Sequence, residues 1–417
     1  MKILIKNIKE LVQIEQSPGG LKRGRSMGIL ATLKDAWLSI ENDLITGFGE
    51  MKYFPGISDW TNLEVIDATG KMVFPCWCDS HTHLVYAGSR ELEFVDRING
   101  LSYEEIAGRG GGILNSAKQL QAATEEELIQ SALNRLNEIK CFGTGAVEIK
   151  SGYGLTIASE LKMLRVIKKL KEISPLTIQA TFLGAHAIPP EYKGQKEKYI
   201  SIITNEMLPA IAEEKLADFC DVFCEKNYFS KDDTIKILEV AAKYGIKGKI
   251  HAEQLSHSGG IEAGVQCGAI SVDHLEFASE NDIELLKNSN TIPTILPGAQ
   301  FFLGLQIPPA RKMIDAGLPL AISSDYNPGS CPSGNMNFMI SLACINYKIT
   351  PEEAINAATI NSAFAMGLGN SHGSICVGKK ANIFITKEVS SYGFLPYSFS
   401  NNLVERVILN GEIPGRI

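Results

Sequence analysis

No stretch of this 417-residue chain is apolar enough for long enough to cross a bilayer. Nor does the N-terminus hold a signal-peptide core, because Lys2, Lys6 and Lys9 interrupt the apolar residues of its first segment. Positive charge is also in short supply. Forty Lys and Arg stand against 47 Asp and Glu, for a net charge of −7, whereas a nucleic-acid surface needs clustered bases to neutralise phosphates. The short basic stretch Lys168-Lys169-Leu170-Lys171 reads as the solvated face of a helix. Cysteine spacing shows no framework. The nine cysteines are odd in number and lack the paired CxxC of a zinc ribbon, so Cys76, Cys78, Cys220 and Cys224 read as core thiols in a reducing, cytoplasmic setting. A glycine-rich phosphate loop after a first strand is missing too, since Gly110-Gly111-Gly112 follows no strand.

What is present is ordinary for a soluble globular protein: 45% hydrophobic and 21% charged residues. The length suits one barrel-sized domain with something smaller beside it. Both ends read as β-rich. Strands are expected at Lys2 to Ile5, Ala36 to Ile40, Leu44 to Phe48 and Leu63 to Asp67, and again at Ala381 to Thr386 and Leu403 to Gly411. Residues 1–70 and 376–417 are therefore expected to form one composite, β-sandwich-like domain. Residues 71–375 alternate helical patterns with short apolar runs, the mark of βα units. Thr124 and Glu127 predict a capping box for a helix that carries Leu128, Ala132, Leu136 and Ile139 on one face and ends near Gly143. Eight strands are expected, near Val73 to Asp79, Ala146 to Lys150, Thr177 to Phe182, Phe219 to Cys224, Ile246 to Ile250, Ala269 to Val272, Thr291 to Leu296 and Leu320 to Ser324. Eight units predict an α/β fold of the (β/α)₈ TIM barrel type, with its active site at the C-terminal strand ends.

Only seven histidines occur, and five of them follow apolar runs. His81 and His83 end the first strand, spaced so that both side chains face one way. His186 follows the third strand, His251 ends the fifth, His274 the sixth, and Asp325 the eighth. In a barrel all six side chains ring one mouth. His257 and His372 fit no strand end and read as structural. Three imidazoles and a carboxylate suit a zinc or iron ion with a position left for water, which predicts hydrolysis at a carbonyl or amidine carbon.

These motifs resemble the amidohydrolase superfamily. Longer segments resemble its imidazolonepropionase family: Asp79 to Arg90, Glu148 to Gly154 with its Ser-Gly-Tyr-Gly turn, Phe182 to His186, His251 to Leu255, and Ser324 to Ser330. The likeness runs from about Val73 to Leu368. It implies hydrolytic opening of 4-imidazolone-5-propanoate to N-formimidoyl-L-glutamate, a step of histidine degradation. It implies one divalent or trivalent metal ion per chain, Zn or Fe, held by His81, His83, His251 and Asp325, with His274 beside the attacking water. Substrate contacts then fall on Arg90, Tyr103, Tyr153, His186, Asn327, Gly329 and Ser330. An arginine presents a planar fork to the propionate. The expected assembly is a homodimer, with a small-molecule substrate and no nucleic-acid or membrane partner.

One position departs from the superfamily's deaminases. They carry a glutamate three residues after the fifth-strand histidine, where this chain has Gln254. An amide is neither acid nor base near neutral pH, so proton transfer is expected to pass to Asp325, His274 or water. The same amide argues against a purine deaminase, the competing enzyme reading. A barrel that had lost its chemistry would lack ligands, and none is missing. Lys226, beyond the fourth strand, is the position where a bridging lysine for a second metal would fall, and one ion is expected.

Overall fold

The computed structural model describes residues 1–101, 105 and 111–415. Tyr103 lies outside the described residues. Two sheets hold the strands. The smaller takes β1 (Lys2–Val12), β2 (Thr32–Glu41), β3 (Leu44–Glu50), β4 (Leu63–Asp67) and β5 (Lys71–Pro75) from the first part of the chain. The later strands β14 (Ile383–Glu388) and β15 (Val404–Ile408) join the same sheet. Its order is β15-β14-β5-β1-β2-β3, with β4 also on β1. The register of β1 shifts between Ile5 and Ile8, around Asn7 in the left-handed region at φ 55°. Its first half pairs with β4 and its second with β5. Ile3, Ile5, Ile8, Leu11, Leu38, Ile40, Ile383 and Ile385 pack together as the core of this sheet.

The larger sheet holds eight strands in sequence order: β6 (Trp77–Thr82), β7 (Thr144–Lys150), β8 (Thr177–Ala185), β9 (Phe219–Cys224), β10 (Lys247–Ala252), β11 (Ser271–His274), β12 (Ile292–Ile295) and β13 (Ala321–Ile322). All neighbours are parallel, with helices in the crossovers. The ends meet just past β13, where the Asp325 N–H donates to the His81 carbonyl at 3.0 Å and the His83 N–H to the Tyr326 carbonyl at 3.0 Å. This is a (β/α)₈ barrel with an additional β unit. The helix Glu125–Cys141 starts at the expected box, Thr124 accepting from the Glu127 N–H, and buries Leu128, Ala132, Leu136 and Ile139.

One expected strand divides. The run from Val73 to Asp79 is two strands in two sheets, β5 in the smaller and β6 in the barrel. Cys76 donates its N–H to Asn382 and Trp77 donates to Gly143, so the backbone changes partners at that point. Hydrophobicity runs unbroken because both strands are buried.

Candidate active site

His81 lies in β6, His83 just after it, His251 near the end of β10, His274 at the end of β11 and Asp325 just after β13. All five are at most 3% exposed. Their donor atoms converge: His83 Nε2 lies 3.4 Å from His251 Nε2, and Asp325 Oδ1 stands 3.6 Å from His81 Nε2 and 3.5 Å from His83 Nε2. Two ligands each ~2.1 Å from one tetrahedral ion sit about 3.4 Å apart, so these spacings fit a shared metal. His81, His83 and Asp325 form one group of possible ligand atoms, and His81, His251 and His274 another.

The rings are oriented from behind. His81 Nδ1 and Asp273 Oδ2 are 2.6 Å apart, and His251 Nδ1 stands 3.0 Å from Asp221 Oδ2. Nδ1 is hydrogen-bonded in His81 and faces a carboxylate in His251, which leaves Nε2 of each ring to offer its lone pair to an ion. His81 Nε2 is buried without a hydrogen-bond partner among the described residues. Burial, reinforced by neighbouring cationic groups, drives the His81 and His83 pKa values well below the usual range, and burial outweighs Asp221 in holding His251 at about 3. Neutral imidazoles are the form a metal requires. Burial raises Asp325 to about 6.

A cavity of about 420 Å³ opens over these atoms, lined by His83, His186, His251, His274 and Asp325 together with Arg90, Glu93 and Arg97. His186 is 7% exposed, and its Nδ1 lies 2.9 Å from the Gly152 carbonyl, which leaves Nε2 for the cavity. The turn that carries Tyr153 is pinned by Glu160, whose carboxylate accepts the N–H groups of Gly152, Gly154 and Leu155. Gly152 takes φ +104°, and a side chain there would meet His186 Nδ1 at 2.9 Å. Asn327 spends its whole amide inside the loop after β13: Oδ1 accepts from Gly329 and Ser330, while Nδ2 donates to the Asp325 carbonyl and Ser330 Oγ. Ser330 Oγ donates to Asp325 Oδ2 at 3.0 Å.

Gln254 lines the cavity at 8% exposure. Its neighbour Glu253 does not substitute for it. Glu253 turns away, accepting the N–H groups of Gly259, Gly260 and Ile261 at the start of the helix Gly260–Cys267. Lys226 is exposed and is not among the residues lining the cavity. His372 is buried against Ser371 and Thr177, and His257 is exposed; neither lines the cavity.

Several residues at the site carried no assignment from the sequence. Glu93 holds Arg90 through its Nε and Nη2, and Arg97 donates to the Gly329 carbonyl at 2.8 Å. Asp221, Asp273 and Lys150 sit wholly buried beneath the histidines. Their signal was a charge placed inside an apolar strand run, as in Phe219-Cys220-Asp221-Val222.

Comparison with known proteins gives the family. Residues 149–413 match the model of the amidohydrolase family. An imidazolonepropionase of Flavobacterium johnsoniae is 57% identical over 413 residues, covering 99% of this chain and 100% of that protein. One from Christiangramia forsetii is 56% identical with the same coverage. Among solved structures, E. coli guanine deaminase superimposes with a TM-score of 0.76 over 100% of this chain and 99% of that one, at 13% identity, which is a likeness of fold. The extent of the sequence identity, from one end of the chain to the other, decides the matter: the chain belongs to the amidohydrolases, and among them to the imidazolonepropionase family.

Proposed function

We propose that this chain opens its substrate ring with one zinc or iron ion held by His81, His83, His251 and Asp325, and with Arg90 receiving the substrate's carboxylate. The reaction is the family's: hydrolysis of the cyclic amide C–N bond of 4-imidazolone-5-propanoate, giving N-formimidoyl-L-glutamate. The observation that carries the assignment of roles is the 3.4–3.6 Å spacing of the His83, His251, His81 and Asp325 donor atoms beside a cavity that Arg90 also lines.

When bound, such an ion polarises the ring carbonyl and lowers the pKa of water. The chain's own groups do the rest. Arg90 has its Nε and Nη2 on Glu93, which fixes the plane of the guanidinium and leaves Nη1 directed at the loop of Gly329. Tyr153 and His186 wall the ring site; the family likeness also assigns a substrate contact to Tyr103, which lies outside the described residues. Asp325 takes the water proton on Oδ2, the oxygen steadied by Ser330. His274 stabilises negative charge developing on the carbonyl oxygen. Gln254 orients the ring through its amide, and Asn327 shapes the loop that presents Gly329 and Ser330.

The composite unit expected over residues 1–70 and 376–417, which also takes in β5 (Lys71–Pro75), flanks the barrel in a cytoplasmic homodimer that acts in histidine degradation; light scattering of the purified chain tests the dimer. The activity is tested by following the absorbance of freshly made 4-imidazolone-5-propanoate. Its loss without release of ammonia supports this reading, and ammonia release from guanine in its place refutes it.

A further inference from the structure

Beneath the proposed ligands lies a buried lysine whose role none of the chemistry above explains. Lys150, on β7, is 0% exposed, and its Nζ is 2.8 Å from Glu148 Oε1 and 2.8 Å from Asp221 Oδ2. The same Asp221 oxygen stands 3.0 Å from His251 Nδ1, while Oδ1 accepts the His251 N–H at 3.1 Å. Glu148 accepts the Thr82 N–H at 3.3 Å and the Thr181 hydroxyl. Glu148 and Asp221 are also 0% exposed.

Stability is a poor reason for such a lysine. A buried ammonium gives up more hydration than a pair of good contacts reliably returns, and an alkyl side chain would fill the same space without that cost. Position is the better reason. Lys150 and Asp221 lie on β7 and β9, which are separated in the sheet by β8, so the ammonium ties two strands that share no ladder. Its tie ends on the carboxylate that faces His251. Another wholly buried lysine, on β10, differs. Lys249 donates to the Ser80 carbonyl at 2.7 Å and the Ala365 carbonyl at 3.3 Å, and stands 3.9 Å from Asp273. Lys249 is committed to backbone, and Lys150 to carboxylates.

We infer that Lys150 is a positioning residue for the metal centre: it clamps Asp221 against His251 Nδ1 and so keeps His251 Nε2 turned toward His83. The inference rests on the reading of His251 as a ligand. Partners behind a ligating histidine are worth roughly 10–100-fold in metal affinity.

The test is zinc removal by a chromophoric chelator from the zinc-loaded full-length chain, with the thermal midpoint recorded alongside. Lys150→Met and Asp221→Asn should each weaken zinc binding roughly 10–100-fold, and the double variant should be no weaker than the worse single one, because both act along one line. Losses that multiply in the double variant overturn the inference. Lys150→Met strands two buried carboxylates, so Lys150→Met/Glu148→Gln is the variant that restores charge balance. It should fold with a near wild-type midpoint and still hold zinc weakly; wild-type zinc affinity there overturns the role of the lysine. His251→Ala separates the two readings. If it binds zinc as the wild type does, the ligand assignment fails and the inference with it, whereas lost zinc in His251→Ala beside full affinity in Lys150→Met/Glu148→Gln sinks the lysine alone.

Discussion

The guanidinium of Arg90 fills the space that a side chain on Gly329 would need, for a Cβ there would lie 2.1 Å from Nη1 and 2.7 Å from Cζ. The arginine cannot simply swing aside, since Glu93 holds its Nε and Nη2 at 2.8 and 2.5 Å. Gly329→Ala should therefore fold normally but displace the proposed carboxylate receptor by about the width of a methyl group. A misplacement of that order costs up to roughly 100-fold in rate. Steady-state kinetics and a thermal melt check this; unchanged kcat/KM would refute the steric argument.

Arg90→Ala should raise KM or lower kcat/KM by ~2–4 kcal/mol, the scale for truncating one partner of a desolvated charge pair. A guanidinium has no acceptor atom to offer a metal, so metal content should stay at the wild-type level. Kinetics like those of the wild type would show that the propionate binds elsewhere.

Gln254 and Asp325 should separate cleanly. Gln254→Ala should keep measurable turnover with a weakened KM, because an amide can orient the ring but cannot carry the proton. Asp325→Asn should abolish activity even where metal remains. A Gln254→Ala enzyme as inactive as Asp325→Asn, with full metal and normal substrate binding, would make this division of roles untenable.

Elemental analysis should find one tightly held ion per chain. The two candidate groups of ligand atoms share His81, and Lys226, the position considered for a bridging lysine, is exposed. His274→Ala should keep the ion while losing activity. Two ions per chain, or loss of metal in His274→Ala, would show that His274 is a ligand.

Acid should destabilise the protein partly through His372. Burial, aided by Lys380 and Lys379, lowers its pKa from 6.5 to about 4. Between these values the unfolded chain binds more protons than the folded one, so the contribution is complete above pH 6.5 and is lost as pH falls toward 4. By pH 5 the loss is roughly 2 kcal/mol. His372→Gln should lose less stability than the wild type between pH 7 and pH 5 in urea titrations. Parallel curves for the two proteins would remove His372 from the account.

The barrel could be read in the sequence because each strand is a short apolar run and its chemistry sits at the run's end, as with His251 and His274. Boundaries were less legible. Cys76 joins two buried strands of different sheets, and hydrophobicity has no feature that marks a change of partner. The supporting charges were hidden for a related reason: Asp221, Asp273 and Lys150 stand within strands, where only the closed barrel shows that they face one another. Gln254 against Glu253 is a question of direction. Both follow His251 closely, and only the fold shows Glu253 bonded to the helix start and Gln254 on the cavity wall.

The closing seam of the barrel gives the site a place in time. Ser324 donates to Asp79 across 245 residues of sequence, and the neighbouring bonds of that seam belong to the backbones of His81, His83 and Asp325. A growing chain makes the first two early and must wait for the third. Waiting is thermodynamically mild, because loop entropy grows only with the logarithm of length, but contacts so far apart are slow to form. The four proposed ligands therefore meet only when the last strand docks on the first, and a chain that stops short of residue 325 has half a seam and lacks the one carboxylate among them.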